Sequence, residues 1–102
     1  MRLIQILLPL YDNAGVALPR ELYDRVFSGL TERFGGATAY MRAPAQGAWK
    51  ETGEEVNRDE VVIIEVMVAR LERDWWAAYR RQLESEFRQE KIIIRALAVE
   101  EL

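Results

Sequence analysis

The stretch Val61-Val62-Ile63-Ile64-Glu65-Val66-Met67-Val68 decides the fold of this chain. Six of its eight residues are β-branched, and branched side chains pack best on an extended, pleated backbone. The run is also too short for a buried helix, so it reads as a strand. Successive side chains of a strand point to opposite faces, which divides the run by parity. The even set, Val62, Ile64, Val66 and Val68, is entirely branched and apolar and is expected to meet helices. The odd set, Val61, Ile63, Glu65 and Met67, is mostly apolar but carries one acid. A strand this apolar on both faces is normally covered on both.

Two flanking segments repeat the pattern. Leu3 to Leu8 reads as a first strand, ended by Pro9 and the turn-rich Asp12-Asn13-Ala14-Gly15. It sets Ile4, Ile6 and Leu8 against Leu3, Gln5 and Leu7. Ile92 to Val99 reads as the last strand, with Ile92, Ile94, Ala96 and Ala98 against Ile93, Arg95, Leu97 and Val99. Each of the three strands therefore holds one polar residue in the middle of its second face: Gln5, Glu65 and Arg95.

Between these strands the period changes to that of helices. Pro19 suits a first helical position and Glu21 suits the helix dipole. Leu22, Val26 and Leu30, with Phe27 and Phe34 beside them, form one apolar stripe, which Gly35-Gly36 stops. A strand over Ala37 to Ala43 follows, and Trp49-Lys50-Glu51 is read as continuing the ribbon after Pro44 to Gly47. Asp74 is placed to cap a second helix, in which Trp76, Tyr79, Leu83 and Phe87 share a face. Trp76 belongs to the core, and Trp75 to the rim of the stripe or a subunit contact.

Composition narrows the function. The chain has 102 residues, half of them hydrophobic, which is enough for a single domain over 1–102. It has no Cys and no His, which excludes disulfides, thiolate nucleophiles, Cys/His zinc sites and imidazole bases. Haem binding would normally require an axial His, and no cofactor is expected. The net charge of −3 and the interspersed signs argue against nucleic-acid binding. Arg70, Arg73, Arg80, Arg81 and Arg88 alternate with Glu72, Asp74, Glu84, Glu86 and Glu90 and read as a solvated, salt-bridged face. Glu84 stands four residues before Arg88, the favourable order for a helical pair. Glu54, Glu55, Asp59 and Glu60 read as a solvated loop, with no metal. The opening apolar run is short, contains Gln5 and meets Pro9, so a strand is preferred to a signal peptide. No segment approaches a membrane span, and the expected location is cytoplasmic.

The order strand, helix, strand, strand, helix, strand is the ferredoxin-like plan: α+β, with a four-stranded antiparallel sheet and two helices on one face. On architecture and length, over the whole chain, it resembles the dimeric α+β barrel superfamily, in which two such sheets pack face to face. Phe34-Gly35-Gly36-Ala37-Thr38 followed by Gly47-Ala48-Trp49 also resembles small uncharacterised bacterial proteins of this shape. The resemblance implies the spatial order 4-1-3-2. It implies a scaffold shared by cofactor-independent monooxygenases, haem-dependent enzymes, isomerases and ligand-sensing domains, and leaves the function open.

With the first strand between the third and fourth, Gln5, Glu65 and Arg95 fall in one row on the helix-free face. An apolar face of this extent usually lies against a partner or ligand. One expectation is a homodimer packed through that face, with Glu65 and Arg95 paired in the interface. Another is a site for a small organic molecule, formed by Gln5, Tyr40, Trp49, Glu65 and Arg95. The leading expectation combines them, as a homodimeric small-molecule-binding or scaffold protein. In the enzymatic alternative, a cofactor-independent monooxygenase or isomerase, Glu65 transfers the proton and Arg95 stabilises an anion. Tyr40 and Trp49 form the walls. A third reading is a partner-binding module that adds a strand at the sheet edge.

Overall fold

A computed structural model describes residues 1–42 and 61–102. The elements in order are β1 (Arg2–Pro9), α1 (Arg20–Phe34), β2 (Thr38–Arg42), β3 (Val61–Val68), α2 (Arg73–Glu86) and β4 (Ile93–Ala98). The architecture is α+β, two helices on an antiparallel sheet whose strands lie in the order β2-β3-β1-β4. The two most apolar strands are central. β1 and β3 pair along their full length, from Arg2 opposite Val68 to Pro9 opposite Val61.

Parity places the core. Ile4, Ile6 and Leu8 of β1 and Ile64, Val66 and Val68 of β3 are buried against Leu22, Val26 and Leu30 of α1. Trp76 and Leu83 of α2, with Phe87 and Ile92 beyond it, complete the cluster. Each such side chain stabilises the fold by about 1.5–3 kcal/mol through removal from water. Phe34 stacks on Trp76 with ring centres 5.4 Å apart, and Trp75 stacks on Tyr79 at 5.0 Å. The Arg33 guanidinium lies 4.3 Å from the Trp75 ring centre. Trp75 is half-buried at the rim, tying the end of α1 to the start of α2.

The helix ends follow local chemistry. Pro19 is the residue just outside α1, in an extended conformation that its ring permits. Gly35 closes the helix at φ 84°, and its N–H donates to the Thr31 carbonyl at 2.8 Å. Between β1 and α1, Asp12 Oδ1 accepts from the N–H groups of Ala14 and Val16, both at 2.9 Å. That turn brings Tyr11 and Ala17 into an isolated bridge.

Two expectations at α2 are corrected. Asp74 does not cap the helix: Glu72 holds the capping position without a side-chain hydrogen bond, and Asp74 lies in the first turn. Nor do Glu84 and Arg88 pair along the helix. Phe87, fully buried, ends the helix, and Arg88 turns to φ 53°. Arg88 then lies 4.0 Å from Asp12. Glu84 instead faces Arg80 at 3.6 Å and accepts the Ile92 N–H at 3.0 Å, linking α2 to the approach to β4.

Candidate functional site

The register of the sheet creates the site. Gln5 of β1 stands opposite Glu65 on one side and Arg95 on the other, and Thr38 of β2 stands opposite Glu65. Cross-strand partners share a face, so Thr38, Glu65, Gln5 and Arg95 form one polar row across all four strands. Gln5 Nε2 donates to Glu65 Oε2 at 2.7 Å, and Arg95 Nε donates to Gln5 Oε1 at 2.7 Å. The amide is therefore oriented by its neighbours, its NH₂ toward the carboxylate and its oxygen toward the guanidinium. Strands lie about 4.8 Å apart, which sets the acid and the base of the row about 10 Å apart at their backbones.

Apolar rows flank this polar one. Leu3 lies between Met67 and Leu97, and Leu7 lies between Ile63 and Ile93. Met67, Ile93 and Leu97 are 42%, 48% and 41% exposed, an unusual cost for large side chains of strands. Ile63 is buried, although it belongs to this face and not to the helix-side core. Where β2 begins, an open depression of about 510 Å³ is lined by Leu3, Phe34, Gly36, Thr38, Glu65 and Met67 among others. Chemically, the row offers a carboxylate, a guanidinium and an amide held in fixed order on a greasy surface.

Of the residues expected at the site, Gln5, Glu65 and Arg95 are brought together, and Gln5 stands between the two charges as their bridge. Tyr40 occupies the register position opposite Ile63, in the neighbouring row. Trp49 lies outside the described residues, as do Glu54, Glu55, Asp59 and Glu60. Thr38 was missed as a member of the row. Its signal is its parity in β2, which becomes useful only once the β2–β3 register is known. Two phenols elsewhere are held protonated: burial raises the Tyr23 pKa, and burial with the nearby Glu86 carboxylate pushes Tyr79 up to about 12. Tyr23 uses its hydroxyl to donate to the Pro9 carbonyl. Among the described residues, no helix is long and apolar enough to cross a membrane.

Comparison with known proteins adds a fold neighbour. A phage SAM lyase in complex with S-methyl-5′-thioadenosine superposes with a TM-score of 0.59 at 17% identity, over 94% of this chain and 79% of that one. A phage SAM lyase in the apo state superposes with a TM-score of 0.54, also at 17% identity, over 94% and 78%. The likeness is one of fold. No family model matches the chain, and no curated protein matches it in sequence.

Proposed function

We propose that this chain is a ferredoxin-like subunit that associates with a second copy through its helix-free sheet face and binds a small polar organic molecule there. The observation that carries the proposal is the hydrogen-bonded row Glu65–Gln5–Arg95 within an otherwise apolar surface. Read from the opposite edge, the strand order is 4-1-3-2, which supports the ferredoxin-like assignment. The exposed Met67, Ile93 and Leu97 support a covered face.

The row also supports a second copy as the cover. A two-fold axis parallel to β1 and running through the interface reverses the order of the row. Glu65 of one subunit is then set over Arg95 of the other, at both ends. Sedimentation velocity tests this with Glu65→Arg, Arg95→Glu and the double reversal. Each single reversal is expected to weaken association and the double to restore it. Monomeric wild-type protein, or no rescue, overturns the dimeric part. For the ligand, S-methyl-5′-thioadenosine is a suitable first probe, because a structural neighbour is seen in complex with it. Binding that shifts the amide signals of Gln5 and Arg95 in an NMR titration supports the site. Binding that leaves them unmoved places it elsewhere.

The fold neighbours support a second reading, a cofactor-independent enzyme in which Glu65 moves a proton and Arg95 holds a developing anion. Incubation with SAM, followed by proton NMR, tests it. Turnover lost in Glu65→Gln supports the reading, and no turnover by wild-type protein refutes it for that substrate.

A further inference from the structure

On the helix side of the sheet, α2 leaves a crevice of about 460 Å³ against β1 and β4. Its lining includes three arginines whose side chains belong to the helix side, Arg2, Arg73 and Arg80, and no carboxylate among the described residues. This concentration of positive charge runs against a chain whose net charge is −3. The fold assembles it from separate segments. Arg2 shares the core-facing parity of Ile4 at the start of β1. Arg73 and Arg80 are seven residues apart, two turns, and so lie on one stripe of α2. Arg95 of the edge strand β4 borders the crevice, but its side chain lies on the other face of the sheet, where Nε donates to Gln5.

Two of the nearby acids are occupied. Glu72 pairs with Arg33 at 3.5 Å, and Glu84 accepts the Ile92 N–H while standing 3.6 Å from Arg80 Nε. Arg80 Nε is itself buried without a hydrogen-bond partner. Leu71, Trp76 and Ile94 supply an apolar wall beside the guanidinium groups. We propose that this crevice binds a phosphate-bearing small molecule. Guanidinium forks match phosphate oxygens in pairs, and converging like charges become favourable once a multivalent anion sits between them. The volume falls in the range of about 300–1,000 Å³ usual for small-ligand sites. A nucleic-acid strand fits less well, because Glu72, Asp74 and Glu84 interrupt any continuous basic stripe along α2.

Isothermal titration calorimetry with inorganic pyrophosphate and with ADP tests the site, independently of the helix-free face. Wild-type protein is expected to bind at least one of them saturably, one per chain. Arg2→Gln and Arg73→Gln are each expected to weaken binding about tenfold, the loss of one good charged contact. Arg81→Gln removes the same charge from α2 outside the crevice and is expected to leave affinity unchanged. Circular dichroism melts establish that each variant is folded. The proposal is overturned if neither probe binds saturably or if Arg81→Gln weakens binding equally. It is also overturned if a single-stranded oligonucleotide binds while pyrophosphate does not.

Discussion

Replacing Gln5 by Met tests whether the amide holds the polar row together. Methionine keeps the length of the side chain and its place in β1 but can neither donate to Glu65 nor accept well from Arg95. Hydrogen bonds to charged groups contribute about 1.5–3 kcal/mol when sheltered from water. Here the two contacts, both 2.7 Å long, differ in shelter: the one to Glu65 is half-buried and the one to Arg95 is exposed. Water replaces most of the exposed bond, leaving about 0.5 kcal/mol, and roughly 1 kcal/mol is lost on the Glu65 side. The thioether next to Leu3 and Leu7 recovers about 0.5 kcal/mol by apolar contact. A net loss of about 1 kcal/mol follows, which lowers the melting temperature by about 4–8 °C in a domain of this size. Urea denaturation of wild type, Gln5→Met, Arg95→Met and the double variant measures it. Repetition at two protein concentrations separates folding from association. Contacting residues couple, so the double variant is expected to lose about 0.5 kcal/mol less than the sum of the singles. A Gln5→Met protein as stable as wild type, or a strictly additive cycle, refutes the bridging role.

Three further outcomes follow from the packing. Phe87→Ala empties a fully buried position in edge-to-face contact with Tyr23 and should cost about 3–5 kcal/mol, read by urea titration. Gly35→Ala meets no atom within 4 Å, yet φ 84° strains any side chain, so about 1 kcal/mol should be lost in a thermal melt. Tyr79 has its pKa raised to about 12, whereas the unfolded phenol ionises near its ordinary value of 10.0. The stabilisation is thus complete below pH 10 and lost as pH rises toward 12. Tyr79→Phe should flatten that alkaline decline in the urea midpoint.

The sheet was legible because three of its strands are marked twice, by short apolar runs and by the parity of their polar residues. Gln5, Glu65 and Arg95 each interrupt an apolar set at mid-strand, and the strand order implied by the family resemblance sets all three side by side. The role of Gln5 as the bridge was not legible, since it depends on the register of β1 against both charged strands, which no single strand contains. The end of α2 was misread for a similar reason. Glu84 and Arg88 have good helical spacing, but burial of Phe87 and the Glu84–Ile92 hydrogen bond turn the chain before Arg88 can join the helix. Long-range packing overrode a local preference worth only about 0.3–0.5 kcal/mol. The arginine crevice escaped a linear reading because Arg2 stands at the start of the sequence and meets Arg73 and Arg80 only across strand and helix.

On the proposed reading, whatever covers the helix-free face must satisfy Arg95. A guanidinium has five N–H donors, and the Nε donor is directed to Gln5. A dry apolar cover would strip water from the terminal N–H groups without replacing it, at a cost of several kcal/mol. The flanking leucines, isoleucines and methionine favour an apolar cover, but the centre of the row demands oxygen acceptors in the same surface. Two kinds of partner meet both demands. A small molecule with an apolar body and a carboxylate or carbonyl oxygen does so from one side. A second copy does so only when turned about an axis along β1, because turning it about the row would stack Arg95 on Arg95 and Glu65 on Glu65. On that proposal, three polar side chains in fixed order select both the chemistry of a ligand and the direction in which two sheets can meet.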